Sequence, residues 1–335
     1  VTAIVVHAGM PKAGSSSVQH WLQLNSKGLR ERGLTVLIGR QTESGGIEFA
    51  PYERGPVVSN WIVNDAIGMP DAFQQRRSDA FVSGLSAAAE RYGNVIVSAE
   101  AFATPFWSLH AISLEGFQQL ATRYEVRVAY YARPQHSHLE AAWRQWGFRL
   151  DVPPSVYIRE RSPDLAYATT SKGVARLAPA VGFQPRPFRA DLLTGGDVVR
   201  DFASRFLGIE LSEPAKRVNA GLPLEVAVLL REAPSAMFWD SAHDNARTDA
   251  IKRALADLEL PEDEHIALSR RILRKYAFEL YGSENAELGW KDFVTLPEDA
   301  TELPGIEALD SLWAPSASPA ELAILFRALH AAIDA

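Results

Sequence analysis

Three places in this sequence hold residue types suited to binding an anion or moving a proton. The first is His7-Ala8-Gly9-Met10-Pro11-Lys12-Ala13-Gly14-Ser15-Ser16-Ser17. Its small residues leave the backbone open to close approach by a phosphate, its three consecutive hydroxyls are donors, and Lys12 brings a charge. Val18, Trp21, Leu22, Asn25 and Leu29 follow at helical spacing, so the stretch leads into a helix N-terminus. There the first backbone N–H groups lack partners and carry about half a positive charge. Gly9 and Gly14 have the spacing of an ATP-binding Walker loop, but Ser15 stands where that loop needs its lysine. Lys12 lies inside the loop instead, which argues against ordinary ATP or GTP hydrolysis. The plainer alternative is a Gly/Ser turn that only starts a helix.

The second place is Arg133, which ends the run Val126 to Ala132 and precedes Pro134. An arginine where a strand turns into a helix suits bidentate phosphate binding; the alternative is a surface arginine closing a turn. The third is Glu100, just past Val95-Ile96-Val97-Ser98. A carboxylate at a strand end can accept a proton or can merely cap the next turn. His136 and His138 alternate before a helix, but no matching cluster accompanies them, so no metal is expected. His7 and His20 flank the first loop.

The elements that must position these groups alternate. Residues 3–7 and 35–38 predict strands around a helix that Gly33 stops. Residues 40–75 are rich in Gly, Pro and polar side chains and predict an irregular insertion. Helices near 79–92, 114–124 and 165–181 lead to strands near 95–98, 126–131 and 185–188. Another helix follows Pro134, with Leu139, Ala142, Trp143 and Trp146 on one face; Glu140 and Arg144 form an i, i+4 surface pair on it. Such alternation predicts an α/β fold with parallel strands and right-handed crossovers. From about Leu222 the pattern turns helical, at 224–231, 248–258 and 266–281. The expectation is one domain over residues 1–335, with an α/β nucleotide-binding core in 1–215 and a mostly helical part in 216–335. In such sheets ligands sit beyond the carboxyl ends of the strands, where Lys12, Glu100 and Arg133 would meet.

Pro11-Lys12-Ala13-Gly14-Ser15-Ser16 resembles the 5′-phosphosulfate loop of sulfotransferases that use 3′-phosphoadenosine 5′-phosphosulfate (PAPS). The resemblance implies a P-loop-like sulfotransferase architecture of the bacterial carbohydrate or small-molecule type. It implies that Lys12, Ala13, Gly14, Ser15, Ser16 and Ser17 hold the donor's 5′-phosphate, with Lys12 on the oxygen bridging phosphate and sulfate. Arg133 matches the arginine that binds the 3′-phosphate in that family. The serine expected eight residues on is replaced by Ala141, and Ser137, one helical turn earlier, is the substitute. Glu100 stands where several branches of the family keep a glutamate base. Phe183 to Asp191 resembles a sheet strand that ends in an acidic residue, and Tyr167 would face the adenine or the acceptor. Variable loops at 40–75, 101–113 and 147–163 would build the acceptor pocket.

Composition sets the remaining limits. The 335 residues, 47% of them hydrophobic, can fill a large core. A net charge of −7 argues against a nucleic-acid partner or an anionic membrane. Cysteine is absent, which excludes disulfides and thiolate chemistry. No apolar run is long enough to span a bilayer, and the apolar start lacks the features of a signal peptide. A cytoplasmic enzyme acting on a carbohydrate or small-molecule acceptor is expected. A nucleotide-dependent kinase of similar fold, or a non-catalytic nucleotide- or partner-binding module, is the alternative.

Overall fold

The computed structural model describes residues 1–44, 46–53, 71–102, 112–150, 152–213, 223–229, 231 and 264–314. In chain order the elements are β1 (Ala3–Gly9), α1 (Ser15–Glu31), β2 (Leu34–Gln41), β3 (Ile47–Pro51), α2 (Asp71–Tyr92) and β4 (Asn94–Ser98). Then come α3 (Ile112–Ala121), β5 (Glu125–Ala132), α4 (Gln135–Trp143), α5 (Pro154–Arg161), α6 (Tyr167–Leu177) and β6 (Gly182–Pro187). The last are α7 (Val198–Leu207), α8 (Leu224–Leu229), α9 (Glu264–Glu287) and α10 (Leu309–Leu312).

These elements form an α/β fold with a mostly parallel six-stranded sheet, ordered β3-β2-β4-β1-β5-β6. The central strands are apolar at nearly every position because helices cover both faces of the sheet. Ile4, Val6, Val95, Ile96, Val97 and Val128 are fully buried. Among the described residues β3 is the one antiparallel strand, paired to β2 from Leu37↔Pro51 to Gln41↔Ile47. It lies in the stretch for which an irregular insertion is expected. Ile47 and Phe49 alternate into the core, but Gly and charged neighbours hide that short period in the sequence.

The chain falls into two compact units, and the division does not run at residue 215. The first comprises 1–134, 166–219 and 287–290, and contains the whole sheet. α1 and α7 pack together, while α2, α3 and α6 form a second group. Adjacent residues of β5 report the two faces of the sheet: the Tyr130 ring lies 6.4 Å from Tyr167 on α6, and the Tyr131 ring 6.3 Å from Phe206 on α7. Beside α2 and α3, Phe81, Phe102 and Phe117 meet edge to face at 5.5–5.7 Å, with Phe49 joining through Phe81.

The second unit comprises 135–165, 220–286 and 291–335. Trp143 and Trp313 pack in its core with ring centroids 4.4 Å apart and planes tilted by 40°. Gln135 and Asn285 exchange amide hydrogen bonds of 2.9 and 3.1 Å, and Asp310 accepts from the Ser155 backbone N–H and hydroxyl. Glu140 and Arg144 are not a surface pair: both are largely buried, and Glu140 also takes the Arg270 guanidinium at 3.2 Å. α5 lies within the stretch 147–163 expected to be an acceptor loop. The expected helix at 248–258 lies outside the described residues. Among the described residues, no helix is long and apolar enough to cross a membrane.

Candidate anion-binding site

β1 leads to β2 on one side of the sheet, whereas its neighbours β4 and β5 lead onward to the other side. Such a reversal opens a crevice at the carboxyl ends of the strands. The turn from Met10 to Gly14 leaves β1 at that reversal, and both of its ends are fixed. The Met10 N–H donates to the Tyr131 carbonyl at 3.2 Å, and the fully buried Met10 side chain anchors the turn. The Met10 carbonyl in turn accepts from the Ala13 N–H at 3.3 Å and from Ser15 Oγ at 2.7 Å. Lys12 adopts φ 67°, a left-handed conformation that costs an L-residue roughly 1–2 kcal/mol. Arg133 Nη1 donates to the Lys12 carbonyl at 3.0 Å.

Two glycines make this shape possible. At Gly9, φ is 92°, and a Cβ would lie 3.2 Å from the Glu100 Cα. At Gly14, φ is 81°, and a Cβ would meet Val198 Cγ1 at 2.8 Å and Phe188 Cε2 at 2.9 Å. Gly14 is also the N-cap of α1; no side chain caps that helix, and its first turn holds no acid. Ser15, Ser16 and Ser17 form that first turn, with Ser15 buried and the other two half-buried. Ala13 is buried.

Glu100 opens a one-turn 3₁₀ helix, Glu100–Phe102, after β4. Phe102 locks this turn into the aromatic cluster, and Glu100 is left half-buried against the loop. Burial raises its carboxyl above the usual range, while the Lys12 charge and the Ser15 hydroxyl, whose single proton goes either to the Met10 carbonyl or to Glu100, pull it back only in part. Lys12, Ser15, Glu100 and Arg133 are thus brought together. Ser137 belongs to the second unit, half-exposed on α4, and Ala141 is buried in the same helix.

Two expectations change. Tyr167 does not face a ligand: it is 1% exposed, and its hydroxyl donates to the Arg133 carbonyl at 2.8 Å. His7 is fully buried, its Nδ1 lies 2.8 Å from Ser98 Oγ, and burial pushes its pKa down to about 3. It has no surface from which to exchange a proton. Among the described residues, no three histidine or carboxylate side chains gather as a metal site requires.

A second buried acid was not anticipated. Asp201 on α7 is fully buried and accepts from Tyr131 Oη at 3.0 Å, Arg205 Nε at 2.9 Å, Arg186 Nη2 at 3.2 Å, and both the N–H and hydroxyl of Thr194 at 3.0 Å. Burial raises its pKa, but the Thr194 N–H and the two guanidiniums outweigh that and hold it below the usual range. These partners fix the segment from β6 to α7, which carries the Phe188 and Val198 side chains that press on Gly14. The signal for α7 is present in the sequence: Asp197 caps the Arg200 N–H at 2.9 Å, and Gly208 ends the helix at φ 68°.

The fold and the site therefore define an α/β protein with a strained glycine-bounded turn at the sheet's switch point, carrying a lysine, an arginine and a carboxylate. Comparison with protein-family models, with curated proteins and with solved structures finds no match.

Proposed function

We propose that this chain is a PAPS-dependent sulfotransferase that transfers a sulfuryl group to a hydroxyl or amine of a carbohydrate or small molecule. The observation that carries the reading is the meeting of Lys12, Ser15, Glu100 and Arg133 around a turn with Walker-like glycines but no Walker lysine. Uncapped helix amides and the Ser15–Ser17 hydroxyls would receive the donor's 5′-phosphate. Arg133, which donates to the Lys12 carbonyl beside the turn, would be the residue that takes the 3′-phosphate.

In the reaction, the acceptor oxygen or nitrogen attacks sulfur in line. The new bond to sulfur forms as the sulfur–oxygen bond to the 5′-phosphate breaks. The acceptor's proton passes to Glu100, and adenosine 3′,5′-bisphosphate leaves. Lys12 offsets the charge growing on the bridging oxygen. A carboxylate with a raised pKa suits the base, because its proton affinity is closer to the working pH.

The test is calorimetric titration with adenosine 3′,5′-bisphosphate, ATP and AMP. The bisphosphate should bind at least about tenfold more tightly than AMP, a difference of about 1.4 kcal/mol. Equal affinity for all three nucleotides would overturn the reading.

A further inference from the structure

The cradle already contains an anion of its own. The groups an incoming phosphate needs, the Lys12 ammonium and the Ser15 hydroxyl at the start of α1, are the groups that face the Glu100 carboxylate. That carboxylate cannot drift away freely. Its backbone packs against Gly9, where a Cβ would lie 3.2 Å from Cα and 3.3 Å from the carbonyl oxygen of Glu100. One residue earlier the Ala99 N–H donates to the His7 carbonyl at 3.0 Å, and two residues later Phe102 is sealed in the aromatic cluster. The backbone is therefore fixed on both sides, and only the side chain can move. We propose that Glu100 is a resident ligand of the anion cradle, which an incoming phosphate or sulfate ester must displace from Lys12 and Ser15 or meet in protonated form.

The inference rests on the anion-binding reading of the loop and adds a sequence of events. Two negative groups cannot share one lysine and one hydroxyl in a half-buried site without strong repulsion. Donor binding therefore frees Glu100 from the loop, and the released carboxylate becomes the base for the acceptor. Without the donor, the base is held by its own loop. Binding is ordered as a result, donor before acceptor; where the donor meets Glu100 in protonated form, binding takes up a proton that Glu100 must return to solvent before it can act as base. Of the charged or titratable groups on the surrounding elements, His7 on β1, His20 on α1 and Arg133 just past β5 are nearest the loop in sequence; Lys27, Arg30 and Glu31 lie in the far half of α1, Glu125 and Arg127 begin β5, and Tyr130 and Tyr131 on β5 are buried. All are present in every protein compared, so their contributions cancel to first order.

The experiment compares the wild-type protein with Glu100→Gln and Glu100→Ala. Affinity for adenosine 3′,5′-bisphosphate is measured by calorimetry at pH 5.5 and pH 8, each in two buffers of different ionisation enthalpy. The ligand's own protons are common to every protein, so the difference in proton uptake belongs to Glu100. Both variants should bind about tenfold more tightly than wild type at pH 8, with the advantage shrinking at pH 5.5. Wild type should take up a larger fraction of a proton per nucleotide. Equal or weaker affinity in the variants, with equal proton counts, would overturn the inference. If no protein binds the bisphosphate, the sulfotransferase reading fails, and the same comparison with inorganic pyrophosphate decides this one. Tighter binding of pyrophosphate by the variants upholds it, and no difference or no binding overturns it. Should the glutamine variant fold poorly, the alanine variant and the wild-type proton count carry the same decision.

Discussion

Two carboxylates stand at this end of the sheet, and burial treats them in opposite ways. Asp201 is fully enclosed yet holds its charge easily, because two guanidiniums, a phenol, a hydroxyl and a backbone N–H converge on it. Glu100 is less enclosed yet holds its charge with difficulty, because one lysine and one hydroxyl do not make up for lost water. An acid whose hydrogen bonds are saturated by its own chain serves the fold. An acid left short of partners in a pocket lined with donors is free for chemistry.

The sharpest way to break that contrast is Glu100→Gln, which keeps the shape and removes the charge. Single-turnover sulfuryl transfer should fall about 10²–10⁴-fold, the span of general base catalysis, while the fold persists. A near-normal rate would remove Glu100 from the chemistry and leave it as a cap.

Asp201→Asn should do the reverse. It leaves the part-exposed Arg186 and the half-exposed Arg205 facing a neutral amide; the loss would be about 3–5 kcal/mol if both charges were fully buried, and solvent screening of the two guanidiniums lowers the expected cost to about 1–3 kcal/mol. Denaturant unfolding would measure it, and the rate per folded molecule should stay close to wild type. A large fall in rate with unchanged stability would make Asp201 a participant.

Lys12→Ala tests the charge that Glu100 lacks enough of. Turnover should drop about 10²–10³-fold, as for loss of one preorganised donor, with much smaller loss of product-nucleotide affinity. Comparable losses in both would make Lys12 an anchor only.

The smallest expected effect lies in stability against pH, and its sign differs between the two acids. The Glu100 carboxyl is raised in the fold above its ordinary 4.5, so its ionisation costs stability. That cost is absent below the ordinary value and complete above the raised one. Glu100→Gln should therefore melt slightly higher than wild type at pH 8 and lose the advantage below about pH 4.5. Asp201 is lowered below its ordinary 3.8, so its contribution is present above that value and disappears as pH falls through the native one. Parallel pH profiles for the Glu100→Gln and Asp201→Asn variants would erase the distinction.

What the sequence made legible follows from range. Lys12, Gly14 and Ser15 sit within one strand–turn–helix unit, and local chemistry suffices to read it. Glu100 and Arg133 are readable because each ends an apolar run, and parallel strands bring such ends to one edge. The Asp201 cluster draws on β5, β6 and α7 at once, and no local pattern pairs Tyr131 with a residue 70 positions away. Tyr167 shows the opposite failure. The resemblance to sulfotransferases gives it a ligand role, but its hydroxyl is taken by the Arg133 carbonyl. β3 was hidden because its two inward residues, Ile47 and Phe49, are too few to establish a period among polar neighbours.

The pressure of Phe188 and Val198 on Gly14 bears on how portable the loop is. Eleven residues from His7 to Ser17 look like a cassette that could be grafted between any strand and helix of another α/β scaffold. Their shape, however, is moulded from outside, by side chains about 175 to 185 positions downstream whose own placement depends on the Asp201 cluster. A recipient lacking that mould would let Gly14 relax and the turn open, and the grafted lysine would point nowhere in particular. The unit of inheritance for this site is the loop together with the segment 186–201, and either half alone is a sequence without its geometry.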